Sequence, residues 1–100
     1  MLMEEVYMSL KLKIADAMNT YNVALLTLQH KGYRLWLEPS DENEDEYGEW
    51  CAEKDGRVFI AWDPLRLLGL VAMWEERGDD WRQKTAEEDL YAKIPKDAGV

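Results

Sequence analysis

The dipeptide Asp55-Gly56 constrains this chain more than any other feature, because a type I′ turn needs positive φ at both central positions and Asp-Gly supplies it. Trp50 to Lys54 and Arg57 to Trp62 flank the turn as strand-like runs. A two-residue loop then dictates the register: Lys54 opposes Arg57, Glu53 opposes Val58, Ala52 opposes Phe59, Cys51 opposes Ile60 and Trp50 opposes Ala61. Side chains alternate across a strand, so one face carries Trp50, Ala52, Phe59 and Ala61, and the other carries Cys51, Val58, Ile60 and Trp62, with Glu53 near the turn. Neither face is cleanly polar. A sheet with one wet face alternates apolar and polar residues, so the sequence predicts a cover over part of the second face.

Upstream, Met3, Tyr7, Leu10, Ile14, Ala17, Tyr21, Ala24 and Leu28 recur at alternating spacings of four and three, the stripe of an amphipathic helix. This predicts one long N-terminal helix closed by Gly32, with His30 and Lys31 in its last turn. Asn19, Thr20 and Asn22 are weak helix formers, and a break there with Thr20 as a new N-cap is the alternative. Tyr33 to Leu37 reads as a strand stopped by Pro39. Pro39 to Glu49 is acidic, without apolar periodicity, and reads as a solvated loop.

Downstream, Asp63-Pro64 opens a helix, Asp as N-cap and Pro at the first helical position. It is apolar around most of its circumference and stops at Gly78, so it should be buried on more than one side. Thr85-Ala86-Glu87-Glu88 has capping-box form and predicts a short last helix to about Lys93, ended by Pro95. The fold class is therefore α+β: long N-terminal helix, three-stranded antiparallel meander, second helix, short C-terminal helix (αβββαα), both main helices on one sheet face. With 100 residues this is a single domain over 1–94, with a frayed tail over 95–100. The element order is similar to that of double-stranded RNA-binding domains, in order only: none of their basic residues at a helix N-terminus is present.

Twenty-one acids against twelve Lys and Arg give a net charge of -9. That field repels phosphate backbones and anionic lipid, and attracts basic proteins. No nucleic acid and no membrane are expected as partners. The single cysteine, Cys51, has no partner for an intramolecular disulfide, and the acidic Met1-Leu2-Met3-Glu4-Glu5 start lacks the lysines of a secretory signal. The longest uncharged apolar stretch, Leu67 to Trp74, is too short to span a bilayer. A cytoplasmic location is expected.

The chemical patterns are sparse. Asp41, Asn43, Asp45 and Glu46 place oxygens as a calcium loop would, but Glu46 stands where that loop needs Gly and Ala52 where it needs Glu, so they are at most weak metal candidates. His30 is the sole histidine, no Gly-x-Ser-x-Gly elbow or glycine-rich phosphate loop exists, and paired acids such as Glu75-Glu76 and Asp79-Asp80 are merely sequence neighbours. Neither a catalytic site nor a cofactor is predicted.

Five tryptophans and five tyrosines exceed what one small core hides, and such residues anchor interfaces. If Leu35 and Leu37 face the helices, Trp36 joins an apolar outer sheet surface, covered either by the last helix with Trp81, Leu90, Tyr91 and Ile94 or by another chain. The function expected is a protein-interaction domain without catalytic activity, self-associating as a homodimer through the apolar second helix, the outer sheet surface or the long first helix. An alternative is an inhibitor or immunity-type protein that engages a basic enzyme or toxin through Asp41, Glu42, Glu44, Asp45 and Glu46, with Tyr47 and Trp50 as aromatic anchors. A second alternative is a weak metal-binding or hydrolytic protein that uses the acidic loop and His30.

Overall fold

A computed structural model describes residues 10–39 and 48–99. The described elements run α1 (Asn19–His30), β1 (Arg34–Glu38), β2 (Glu49–Lys54), β3 (Arg57–Ala61), α2 (Pro64–Arg77) and α3 (Leu90–Asp97). The strands form one antiparallel sheet in the order β1-β2-β3. The hairpin register is the one dictated by the turn, from Lys54 opposite Arg57 to Trp50 opposite Ala61. Asp55 and Gly56 take φ values of 53° and 80°, the doubly positive backbone that a type I′ turn requires.

β1 adds to β2 with Leu35 opposite Ala52 and Leu37 opposite Trp50. The odd positions of β1 therefore share a face with Trp50, Ala52, Phe59 and Ala61. Both α1 and α2 pack on the sheet and on each other. The core lies between them: Leu28 of α1 and Leu67 and Val71 of α2 are fully buried, against Tyr33, Ala52 and Ala61, with Leu35, Trp50 and Phe59 packed around them. Phe59 meets Tyr33 and Trp74 edge-on, at ring-centroid distances of 6.0 and 5.7 Å.

The start of α2 follows its sequence signal. Asp63 accepts a hydrogen bond from the Arg66 backbone N–H at 2.8 Å, with Pro64 next, and Gly78 closes the helix at φ 82°. Leu67 and Val71 point straight into the core, whereas Leu65, Leu68, Leu70, Met73 and Trp74 are half-buried on its flanks.

Two helix expectations need correction. The long N-terminal helix is not present over the described residues: 10–17 are non-helical and α1 begins at Asn19, capped by Met18 rather than Thr20. The earlier stripe positions, Met3 and Tyr7, lie outside the described residues. The reason is physical. Ile14 and Met18 are 79% and 78% exposed and Leu10 43%, so this part of the stripe packs against little, and a helix of ordinary sequence needs a packed face. Asn19, Thr20 and Asn22 add no propensity, and Thr20 instead closes a turn onto the Ala17 carbonyl through both its backbone N–H and its hydroxyl.

The last helix begins at Leu90, not Thr85, with Asp89 accepting from the Ala92 N–H. Glu87 explains the shift. Its carboxylate accepts from the Lys84 N–H at 2.7 Å and from Arg77 Nη2 at 2.6 Å, which ties it to the end of α2 and not to a helix start. Pro95 stands inside α3 without ending it.

Candidate interaction surface

The pleat places Trp36, Cys51 and Ile60 side by side on the sheet face away from the helices, with Arg34, Glu53 and Val58 in the next row. Val58 is 52% exposed, Ile60 49% and Trp62 74%. Cys51, between Trp36 and Ile60, is buried, and that burial, reinforced by the carboxylates of Glu38 and Glu49, pushes its thiol pKa up. A thiol so placed is a small apolar residue and a poor nucleophile.

The expectation that the last helix closes over this face is not met. No residue of α3 is buried, and Leu90, Tyr91 and Ile94 are themselves exposed. Trp81, 38% exposed, lies nearer the sheet. It shares with Phe59, Ile60, Leu70 and Met73 a recess of 230 Å³ on the flank of β3. Arg77 holds the segment there, its Nε donating to the Trp81 carbonyl at 2.8 Å.

Charges are arranged around this flank. Arg57 bonds Asp79 in a two-point fork, and Trp74 Nε1–H donates to the same carboxylate at 2.7 Å. The Arg57 hydrogen bond first, and that of Trp74 second, hold the Asp79 carboxyl far below the usual carboxylate range. Arg77, helped by the Lys84 N–H, also lowers the pKa of Glu87. A carboxylate held down in this way is a weaker base, which suits a structural clamp.

Of the expected anchors, the sheet separates Trp36 from Trp50. Trp50 is half-buried in the core layer beside Ala52 and Ala61. Trp36 is on the outer face, its ring under the Arg34 guanidinium at 4.6 Å and its Nε1–H bonded to Glu38 at 3.1 Å. Asp41, Glu42, Glu44, Asp45, Glu46 and Tyr47 lie outside the described residues, and so do the metal candidates Asp41, Asn43, Asp45 and Glu46. Among the described residues no group of three or more His, Cys, Asp or Glu side chains is placed to hold a metal ion, and no helix is long and apolar enough to cross a membrane. His30 sits exposed in the last turn of α1.

The sequence reading named Trp81 only as part of a last-helix cover and did not find the clamp of Arg57, Trp74 and Asp79. Their partners are far apart in the chain, and no local spacing signals them.

No family model, no curated protein and no solved structure matches this chain.

Proposed function

We propose that this chain is a protein-interaction domain, without catalytic activity of its own, that works in the cytoplasm by associating with itself through the outer face of its sheet. One observation supports the reading above the rest: Val58, Ile60 and Trp62 form a contiguous apolar row that α3 leaves open. Contiguous exposed apolar area marks association sites more often than scattered apolar residues do. Tryptophan supplies the anchor such surfaces use.

The test is the solution mass of the full chain across a wide concentration range, at low and at high salt. Self-association through an apolar face of a chain with net charge -9 strengthens as salt screens the repulsion between copies. The inhibitor or immunity-type reading, in which the acidic 41–50 segment engages a basic enzyme or toxin, rests on that same charge and has the opposite signature, an affinity that falls with salt. A chain that stays monomeric at every concentration and salt rules out the self-association reading.

A further inference from the structure

Residues 79–89 join α2 to α3 without helix or strand, and every one of them is exposed. Among the described residues, no backbone–backbone hydrogen bond ties 80–88 to the sheet or to α2. Side chains hold this stretch instead. Its first residue, Asp79, is rooted in the fork from Arg57 and the indole N–H of Trp74. Beyond that root, the hydrogen bonds to the body of the domain come from Arg77, the last residue of α2. Its Nε donates to the Trp81 carbonyl at 2.8 Å, and its Nη2 to the Arg82 carbonyl at 3.5 Å and the Glu87 carboxylate at 2.6 Å.

The stretch is also bonded within itself. The Lys84 ammonium donates to the carbonyls of Asp80 and Arg82 and pairs with the Asp80 carboxylate, and the Lys84 N–H donates to Glu87. The Arg82 guanidinium lies over the Trp81 ring at 4.6 Å. These bonds survive when those to Arg77 break, so the stretch moves as one piece.

Its apolar seat is thin. Trp81 stands at the edge of the 230 Å³ recess it shares with Val58, Ile60 and Met73, and a second hollow of 490 Å³, lined by Arg77, Glu87 and Leu90, opens beside the same ring. A ring bordered by open space forfeits much of the contact energy of a packed one. Few buried apolar contacts and exposed hydrogen bonds mark a unit that opens at far less cost than the whole domain.

We propose that residues 80–89 form a strap, rooted at Asp79 and latched by Arg77, that opens as a unit while the core stays folded and that, when closed, restrains self-association. The restraint rests on the outer-face reading above and adds its regulation. Val58 and Ile60 belong both to the open apolar row and to the recess beside Trp81, so the closed strap stands at the rim of that row. Residues 79–89 carry five acids against two bases, and like charge brought to the rim opposes the approach of a second copy. Opening uncovers the half-buried Phe59, Leu70 and Met73 and extends the apolar area towards α2.

The experiment compares the full chain with Arg77→Gln, which removes the latch, and with Trp81→Ala, which empties the seat and leaves the latch. Amide exchange is read at Lys84 and Glu87 for the strap and at Ala52 and Val71 for the core, and solution mass over a range of concentration and salt gives the association constant. In both variants the strap amides should exchange about tenfold faster or more, the core amides as in the parent, and dimerisation should tighten severalfold. Strap and core amides that quicken together, or strap amides unchanged in both variants, overturn the strap. Strap amides that quicken while dimerisation stays the same or weakens overturn the restraint and leave the outer-face reading standing. Parent and variants that are monomeric at every concentration and salt overturn the restraint and that reading together.

Discussion

The guanidinium of Arg57 grips the carboxylate of Asp79 at two points, Nε to Oδ1 and Nη2 to Oδ2, each at 2.8 Å. The grip spans from the hairpin to the turn that follows α2, and the indole N–H of Trp74 completes it from the side. One bidentate pair thus ties the hairpin to the turn after α2.

The pH dependence of this clamp has a definite sign. The folded state lowers the Asp79 pKa, so the clamp's contribution is fully present above the ordinary Asp value of about 3.9 and is lost as pH falls through the folded value. Asp79→Asn removes the ionisation. Thermal unfolding should show the variant less stable than the parent by a constant margin above about pH 5, shrinking steadily in stronger acid. A margin that does not change with pH would mean that the charge contributes nothing.

Leu67 is fully buried at the junction of α1, α2 and the sheet. Leu67→Ala should cost about 2–5 kcal/mol, the range for a large-to-small change in a packed core. Urea unfolding reads it directly. A loss under about 1 kcal/mol would place Leu67 at the surface.

Gly48 has a purely steric role. A Cβ built there would stand 1.7 Å from the Glu38 carbonyl oxygen and 2.8 Å from Pro39 Cα, both backbone. Neither neighbour is a flexible side-chain end, so Gly48→Ala must pry β1 from β2 where the acidic segment rejoins the sheet. The expected cost is about 1–3 kcal/mol or more, with the Glu38 and Glu49 amide resonances displaced furthest.

Cys51 should resist thiol reagents in the native protein. Burial limits access and pushes the thiol pKa up, so less thiolate forms at a given pH. Reaction at pH 8 should be slow when folded and at least tenfold faster in denaturant. Equal rates would show an open outer face around Trp36 and Ile60.

Trp62, 74% exposed, separates folding from association. Trp62→Ser should leave monomer stability within about 0.5 kcal/mol, as surface changes do, yet weaken self-association at high salt. Concentration-dependent light scattering on parent and variant makes the comparison, and unchanged association would remove Trp62 from the surface.

The sequence by itself determined what local chemistry determines. Asp55-Gly56 set the turn, the turn set all the pairings of β2 with β3, and Asp63-Pro64 with Gly78 set both ends of α2. Periodicity sorted the side chains into two faces, with Trp50 beside Ala52 and Ala61, but left open which face lies inside; Trp36 is outer because α1 and α2 pack on the face of Leu35 and Ala52. Tertiary structure decided whatever needed a partner distant in sequence. Residues 10–17 carry helical spacing but gain no face to bury, so the helix starts only at Asn19. Thr85 to Glu88 has capping-box form, but Arg77 claims Glu87 first. The open row of Val58, Ile60 and Trp62 follows from where α3 ends up, because periodicity says which side of a strand is apolar and only packing in three dimensions says what covers it.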